Sequence, residues 1–217
     1  MTPAVRFKVC GLTSAIDAQA AASCGAAFLG FIFYPKSPRF VSLDQFGAMA
    51  PELPRLERVA VTVEPDSGTL LALRGMGFTL FQVHFRHDLP LRRLEEWTHA
   101  VGANALWLAP KLPPEASLSK AWLSLANGFL LDTFDRQLYG GTGRTGDWTK
   151  FRQLSEGHDD KTWILSGGLT AENVGEALAT TGTRCIDVSS GVESAPGIKD
   201  HARLKAFAEA VRAASAA

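Results

Sequence analysis

Eight short apolar runs that alternate with helix-like stretches, a length of 217 residues, and unusual polar residues gathered where those runs end predict an α/β protein folded as a single-domain (β/α)8 TIM barrel over residues 1–217. The strand-like runs cover residues 7–10, 28–33, 59–63, 80–85, 105–108, 129–132, 163–165 and 186–189. Most are continuously apolar, the pattern of parallel strands covered on both faces. The helices between them have recognisable starts. Ser14 precedes 15–23, Ser42 precedes 43–50 and Thr170 precedes 171–179, each hydroxyl able to accept an N–H of the first turn. An Ala-rich helix over 202–214 ends the chain. Between residues 109 and 126, Pro110, Pro113 and Pro114 leave room for only a short helix. An open doubly wound sheet has the same alternation, and the length also fits two small domains. The count of eight strand–helix units and the absence of a low-complexity linker favour one barrel.

A hydrophobic share of 46% and a charged share of 20% are those of an ordinary soluble chain. Twenty-two Lys and Arg balance 22 Asp and Glu, so nothing argues for a nucleic-acid or membrane partner. The N-terminus has no charged-then-apolar signal and no apolar run is long enough to cross a bilayer, which predicts a cytoplasmic protein. Cys10, Cys24 and Cys185 are odd in number and lack CxxC spacing. That pattern predicts free thiols, with neither a disulfide framework nor a zinc site. His87, His99, His158 and His201 lack metal-ligand spacing and are expected at the surface, so no metal site is expected. Trp97, Trp107 and Trp122 are expected on a neutral surface compatible with a monomer or a homodimer.

In a parallel barrel the C-terminal strand ends form the active site, and the polar residues fall there. Strand one ends in Cys10-Gly11-Leu12-Thr13, and strand two leads into Tyr34-Pro35-Lys36-Ser37-Pro38-Arg39. Strand four carries Gln82-Val83-His84, strand six ends in Asp132, and strand eight carries Asp187. After strand seven, Gly167 and Gly168 let backbone approach a ligand, and a helix opening at Thr170 would offer free N–H groups. After strand eight, Ser189, Ser190 and Gly191 add hydroxyls and a second close-approach backbone. Loops after strands seven and eight are where barrels hold phosphate, so a small phosphorylated substrate is expected. The Gly-rich stretch at residues 140–146 reads as a lid, or as a plain surface loop. It is no P-loop, because no Gly-Lys-Ser/Thr follows at the required spacing.

Cys24 and Cys185 read as inert small hydrophobes. Cys10 differs because it ends a strand before a glycine, although a working thiolate there needs surroundings that lower its pKa. Asp132 follows an apolar run, and a partly buried carboxyl tends to keep its proton.

The ordered set Lys8-Val9-Cys10-Gly11-Leu12-Thr13, Gly30 to Arg39, Leu130-Leu131-Asp132, Gly140-Gly141-Thr142-Gly143-Arg144, Leu165-Ser166-Gly167-Gly168-Leu169, Ile186 to Glu193 and Lys199-Asp200 resembles the phosphoribosylanthranilate isomerase family of tryptophan biosynthesis. The resemblance implies an Amadori rearrangement that needs no metal or organic cofactor. It implies Asp132 as the acid, Cys10 as the base, Arg39 near the anthranilate carboxylate, Asp187 near the sugar or amine, and His84 as a further substrate contact. Three positions depart from the family's pattern: Glu64 stands where Asn is common, Phe85 where Gly is usual, and strand five running into Ala109-Pro110 lacks a nearby Lys. These put the cup wall around strands three to five in question. Indole-glycerol-phosphate synthase would want a Lys-rich site and a longer N-terminal extension, and neither is evident. A non-catalytic ligand-binding relic is the other alternative, and retention of Cys10 and Asp132 argues against it.

Overall fold

The structure is a computed structural model that describes residues 5–113, 115–132 and 147–216. Residues 140–146, read above as a lid, lie outside the described residues. Eight parallel strands close into a barrel in chain order. They are β1 (Arg6–Val9), β2 (Phe28–Ile32), β3 (Glu57–Val63), β4 (Leu80–Arg86), β5 (Leu106–Lys111), β6 (Gly128–Leu131), β7 (Thr162–Leu165) and β8 (Cys185–Val188). A two-stranded antiparallel hairpin, β9 (Glu193–Ala195) with β10 (Ile198–Lys199), follows the last barrel strand.

Helices α1 (Ala15–Ser23), α2 (Leu43–Met49), α3 (Ser67–Gly75), α4 (Leu91–Val101), α5 (Trp148–Ser155), α6 (Val174–Thr181) and α7 (His201–Ala216) surround the sheet. Their starts follow local hydrogen bonding. Ser14 accepts from the Asp17 N–H, and Ser42 and Gln45 form a reciprocal capping box. Asp66 and Asp147 cap α3 and α5 by accepting from the N–H groups of Thr69 and Lys150.

The expectation at Thr170 needs correction. Helix α6 starts only at Val174, because Asn173 intervenes. Its side-chain oxygen accepts from the Thr170 N–H at 2.8 Å, and its amide donates to the Gly168 carbonyl at 2.9 Å. The Thr170 N–H is therefore already used.

Side chains alternate along each strand between two apolar clusters. One packs outward against the helices; the other fills the barrel around Phe28, Val59, Val61, Trp107, Leu130 and Ile164. Phe28 and Trp107 meet edge to face at 5.2 Å and floor the interior at the start of the strands. Trp97, Trp107 and Trp122, expected at the surface, are all buried. Indole rings bury too much apolar area to be left in water when the barrel interior (Trp107) or the helix-to-sheet space (Trp97, Trp122) can take them.

The same alternation answers two of the three departures. Phe85 points outward, fully buried, with its ring 5.6 Å from Trp97 on α4 and 5.3 Å from Trp122. Among its described residues the β5–β6 connection has one helical element, the 3₁₀ turn Lys120–Trp122, and Trp122 covers the sheet where a full helix would. Strand β5 runs through Ala109 and Pro110 to Lys111, which has the inward parity of Trp107 and Ala109. A lysine thus ends strand five on the cup side after all.

Glu64, the third departure, takes φ +44°, a left-handed conformation in which Asn is far commoner than Glu. Its carboxylate accepts from the Arg86 N–H at 2.9 Å, tying the ends of β3 and β4 together. Phe85→Ala should lose roughly 3–5 kcal/mol of stability through the cavity it leaves, while kcat and KM stay near wild type. Urea denaturation beside steady-state kinetics checks both; a lost turnover would place Phe85 on the cup side.

Candidate active site

At the seam where β1 meets β8, Lys8 lies opposite Asp187 in register. The Lys8 ammonium, fully buried, donates to the Asp187 carboxylate at 3.0 Å. Desolvation works against this ammonium, but the Asp187 charge, and then Cys10, hold it above its ordinary value. One turn of the pleat further on the same face, Cys10 ends β1, with its N–H donating to the Val188 carbonyl at 2.9 Å.

Cys10 is buried among these charges. Burial pushes its thiol above the ordinary value and the Asp187 carboxylate adds to that, while the ammonium groups of Lys8 and Lys199 pull it back. The depression expected from sequence is absent: desolvation outweighs the cations. Cys185 sits deeper still, pushed up to about 12 by burial, which fits an inert thiol.

Lys199, brought in by the β9–β10 hairpin, was not foreseen. Its buried ammonium donates to the Cys10 carbonyl at 2.6 Å, to Glu193 at 2.8 Å and to the Ser189 carbonyl at 3.4 Å. Glu193 also receives a two-pronged contact from Arg39, Nε at 2.9 Å and Nη2 at 2.7 Å. Burial opposes the Glu193 charge, yet Arg39 and Lys199 together hold its carboxyl below the usual range. The fork expected to meet a substrate carboxylate is thus partly occupied by an internal one. The sequence signal was two charged residues inside an otherwise ordinary hairpin, which spacing alone does not connect to Arg39.

The Arg39 stem crosses directly over Gly11. A Cβ added there would lie 2.5 Å from Arg39 Cδ, and Gly11 has φ +73°. No side chain fits both the space and the backbone.

His84 ends the inward row of β4, half-buried. Its Nε2 is 2.8 Å from the Gln82 side-chain nitrogen. Desolvation, with Lys8 adding to it, lowers its pKa to about 3, so the imidazole is neutral at any working pH. It can offer hydrogen bonds but no charge. Asp132 follows β6 directly, half-buried, with the inward parity of Leu130. In the closed order of strands, β6 is three strands from β1, counted through β7 and β8.

The loops after β7 and β8 come together through backbone. A Cβ on Gly191 would fall 1.9 Å from the Leu169 carbonyl oxygen. Gly167 and Gly168 both take positive φ, and the N–H groups of Gly167, Gly168, Ser190 and Gly191 donate to no other described backbone group. These amides can therefore serve an anion. The Ser189 hydroxyl instead donates to the Cys10 carbonyl at 3.1 Å, which ties the cradle to the end of β1. Among the described residues no group of three or more His, Cys, Asp and Glu is placed to hold a metal ion. Nor is any described helix long and apolar enough to cross a membrane.

Gly11→Ala should cost roughly 1–2 kcal/mol from its left-handed backbone alone, and raise KM by displacing Arg39. Thermal unfolding and substrate saturation curves measure the two effects; an unchanged KM would separate Arg39 from substrate binding.

A family model described as N-(5'phosphoribosyl)anthranilate (PRA) isomerase matches residues 7–210. An N-(5'-phosphoribosyl)anthranilate isomerase from Cereibacter sphaeroides is 39% identical over 225 residues, covering 96% of this chain and 99% of that one. One from Sinorhizobium medicae is 41% identical over 223 residues, covering 96% and 98%. Among solved structures, the phosphoribosyl anthranilate isomerase of Thermus thermophilus superposes with a TM-score of 0.79 at 29% identity, covering 96% and 98%. Another, in complex with reduced 1-(o-carboxyphenylamino)-1-deoxyribulose 5-phosphate, has a TM-score of 0.74 at 29% identity, covering 96% and 99%. Fold and sequence agree along nearly the whole length, and the chain belongs to the N-(5'-phosphoribosyl)anthranilate isomerase family.

Proposed function

We propose that the protein converts N-(5-phosphoribosyl)anthranilate into 1-(2-carboxyphenylamino)-1-deoxyribulose 5-phosphate in tryptophan biosynthesis, with Asp132 as general acid and Cys10 as general base. The observation that carries this reading is the shared cup: a thiol at the end of β1 and a carboxyl at the end of β6, beside unengaged amides after β7 and β8.

The phosphate of the substrate binds the amides of Gly167, Gly168, Ser190 and Gly191, with the Ser189 and Ser190 hydroxyls beside them. Anchoring the phosphate there directs the sugar across the barrel axis toward Cys10 and Asp132. Arg39 uses its Nη1 edge for the anthranilate carboxylate while Glu193 holds the rest of the guanidinium. Neutral His84 hydrogen-bonds the substrate, and the second oxygen of Asp187 takes the sugar or amine region.

Asp132 gives its proton to the furanose ring oxygen. The bond from that oxygen to the anomeric carbon breaks, and the nitrogen lone pair forms the protonated Schiff base. Cys10, as thiolate, takes the proton from the adjacent sugar carbon. The electron pair left behind closes a carbon–carbon double bond, giving the enolamine. That tautomerises to the ketone by gaining a proton at the former anomeric carbon and losing its hydroxyl proton. The Cys10 thiol then yields its proton and Asp132 regains one, so no net proton is consumed.

Loss of phosphoribosylanthranilate fluorescence provides the assay. Cys10→Ser and Asp132→Asn should each lower kcat about a hundred- to ten-thousand-fold, with KM changed far less for Asp132→Asn. Near-wild-type turnover by Cys10→Ser would remove it as the base. Flat traces from the wild type with tight product binding would make the chain a binding relic. The raised Cys10 thiol also fixes the sign of the pH dependence. A base must be deprotonated while Asp132 must keep its proton, so in Asp132→Asn, which has no acid left to titrate, residual kcat/KM should climb from neutral into alkaline pH. A flat profile of that variant across the range would show that no such thiol limits the reaction.

A further inference from the structure

The proposed chemistry asks a deeply buried thiol to carry negative charge, and the seam between β1 and β8 holds a charged group that no step of that chemistry uses. Lys8 is wholly enclosed, a place lysine takes almost only when paired, as it is here with Asp187. It sits two residues before Cys10 on the same inward face of β1. A Cβ added at Gly30 on the neighbouring strand would lie 3.1 Å from Lys8 Nζ and 3.2 Å from Cys10 Cα. The glycine thus leaves one small space that the ammonium and the base of the Cys10 side chain share. A lysine needed only to satisfy Asp187 would gain nothing from that proximity.

We propose that Lys8 is a positioning residue for Cys10, its ammonium shared between the Asp187 carboxylate and the Cys10 sulfur so that it supplies the counter-charge when the thiol gives up its proton. The inference rests on the reading of Cys10 as the base. In the resting pair Lys8 neutralises Asp187; when Cys10 ionises, the same ammonium faces two anions and stabilises the newer one. Among the other charged groups around Cys10, Lys199 also favours the thiolate, but less than Lys8 does. Lys199 binds the Cys10 carbonyl and is balanced by Glu193, which also takes Arg39. His84 is neutral, with Lys8 among the causes of its lowered pKa. Asp132 across the cup is a carboxyl and offers no positive charge.

The test is the ultraviolet absorbance of the Cys10 thiolate in the free enzyme, taken as the difference between each protein and its Cys10→Ser counterpart. Lys8→Met should move the Cys10 titration upward by about one to three pH units. Asp187→Asn, which leaves the ammonium unshared, should move it downward. The alkaline rise of residual kcat/KM, measured in the Asp132→Asn background, should follow each shift, with kcat affected more than KM in Lys8→Met. Opposed shifts are an electrostatic signature that loss of packing does not produce.

If Lys8→Met does not fold because Asp187 is left buried and unpaired, the double variant Lys8→Met/Asp187→Asn replaces it. Its thiol must then titrate above that of Asp187→Asn alone. Unmoved titrations, or shifts in one direction for both single variants, would overturn the proposal. Cys10→Ser with wild-type turnover would instead remove the base reading while leaving the titrations intact, so the two failures are distinguishable.

Discussion

A closed sheet leaves the inward residues of every strand with nowhere to go but the barrel axis, and at the seam between β1 and β8 two of those residues are charged. Lys8 and Asp187 meet there at 3.0 Å with almost no exposure. Taking two such charges out of water costs several kcal/mol each before pairing, and each offsets part of that cost for the other. Their pairing requires β1 and β8 to be adjacent and in the observed register, which is the condition that closes the barrel. Above the pair, Lys199 and the Ser189 hydroxyl both hold the Cys10 carbonyl. The first and last strand ends are thereby tied together where the chemistry is proposed to occur.

The same closure explains why departures in strands three to five leave the cup intact. Parity assigns each residue to the axis or to the helix layer, and adjacent residues never share a fate. Phe85 is next to His84 in sequence yet belongs to an aromatic group with Trp97 and Trp122. That group makes up for the missing helix after β5. Polar chemistry and hydrophobic packing can thus change independently along one strand.

On the far side of Cys10, the loops after β7 and β8 form a surface of backbone rather than side chains. Gly191 lies so close to the Leu169 carbonyl that no other residue fits. Asn173 takes up the Thr170 N–H and the Gly168 carbonyl, setting the loop's shape before α6 begins. In the proposed function these amides meet the substrate phosphate without needing to reorganise. The charged groups near Cys10 bond one another, whereas the amides of Gly167, Gly168, Ser190 and Gly191 donate to no other described backbone group.

Strand number, order and the inward row of polar residues were all legible in the sequence, because parallel strands covered on both faces and capped helices leave periodic local signatures. Cys10, Asp132, His84 and Asp187 could be assigned to strand ends for the same reason, and the ordered motifs pointed to the family. What local signatures do not encode is which distant charges meet. The Arg39–Glu193 fork spans 154 positions and the Lys8–Asp187 pair 179. Whether a tryptophan lies in the core or a thiol is raised rather than lowered depends on the solvent that packing removes, not on neighbours in the chain. The sequence by itself determined the barrel and the residues presented to its cup. Only the tertiary structure decided how those residues are paired, because the strength of a charge interaction depends on distance and burial once the sheet has closed.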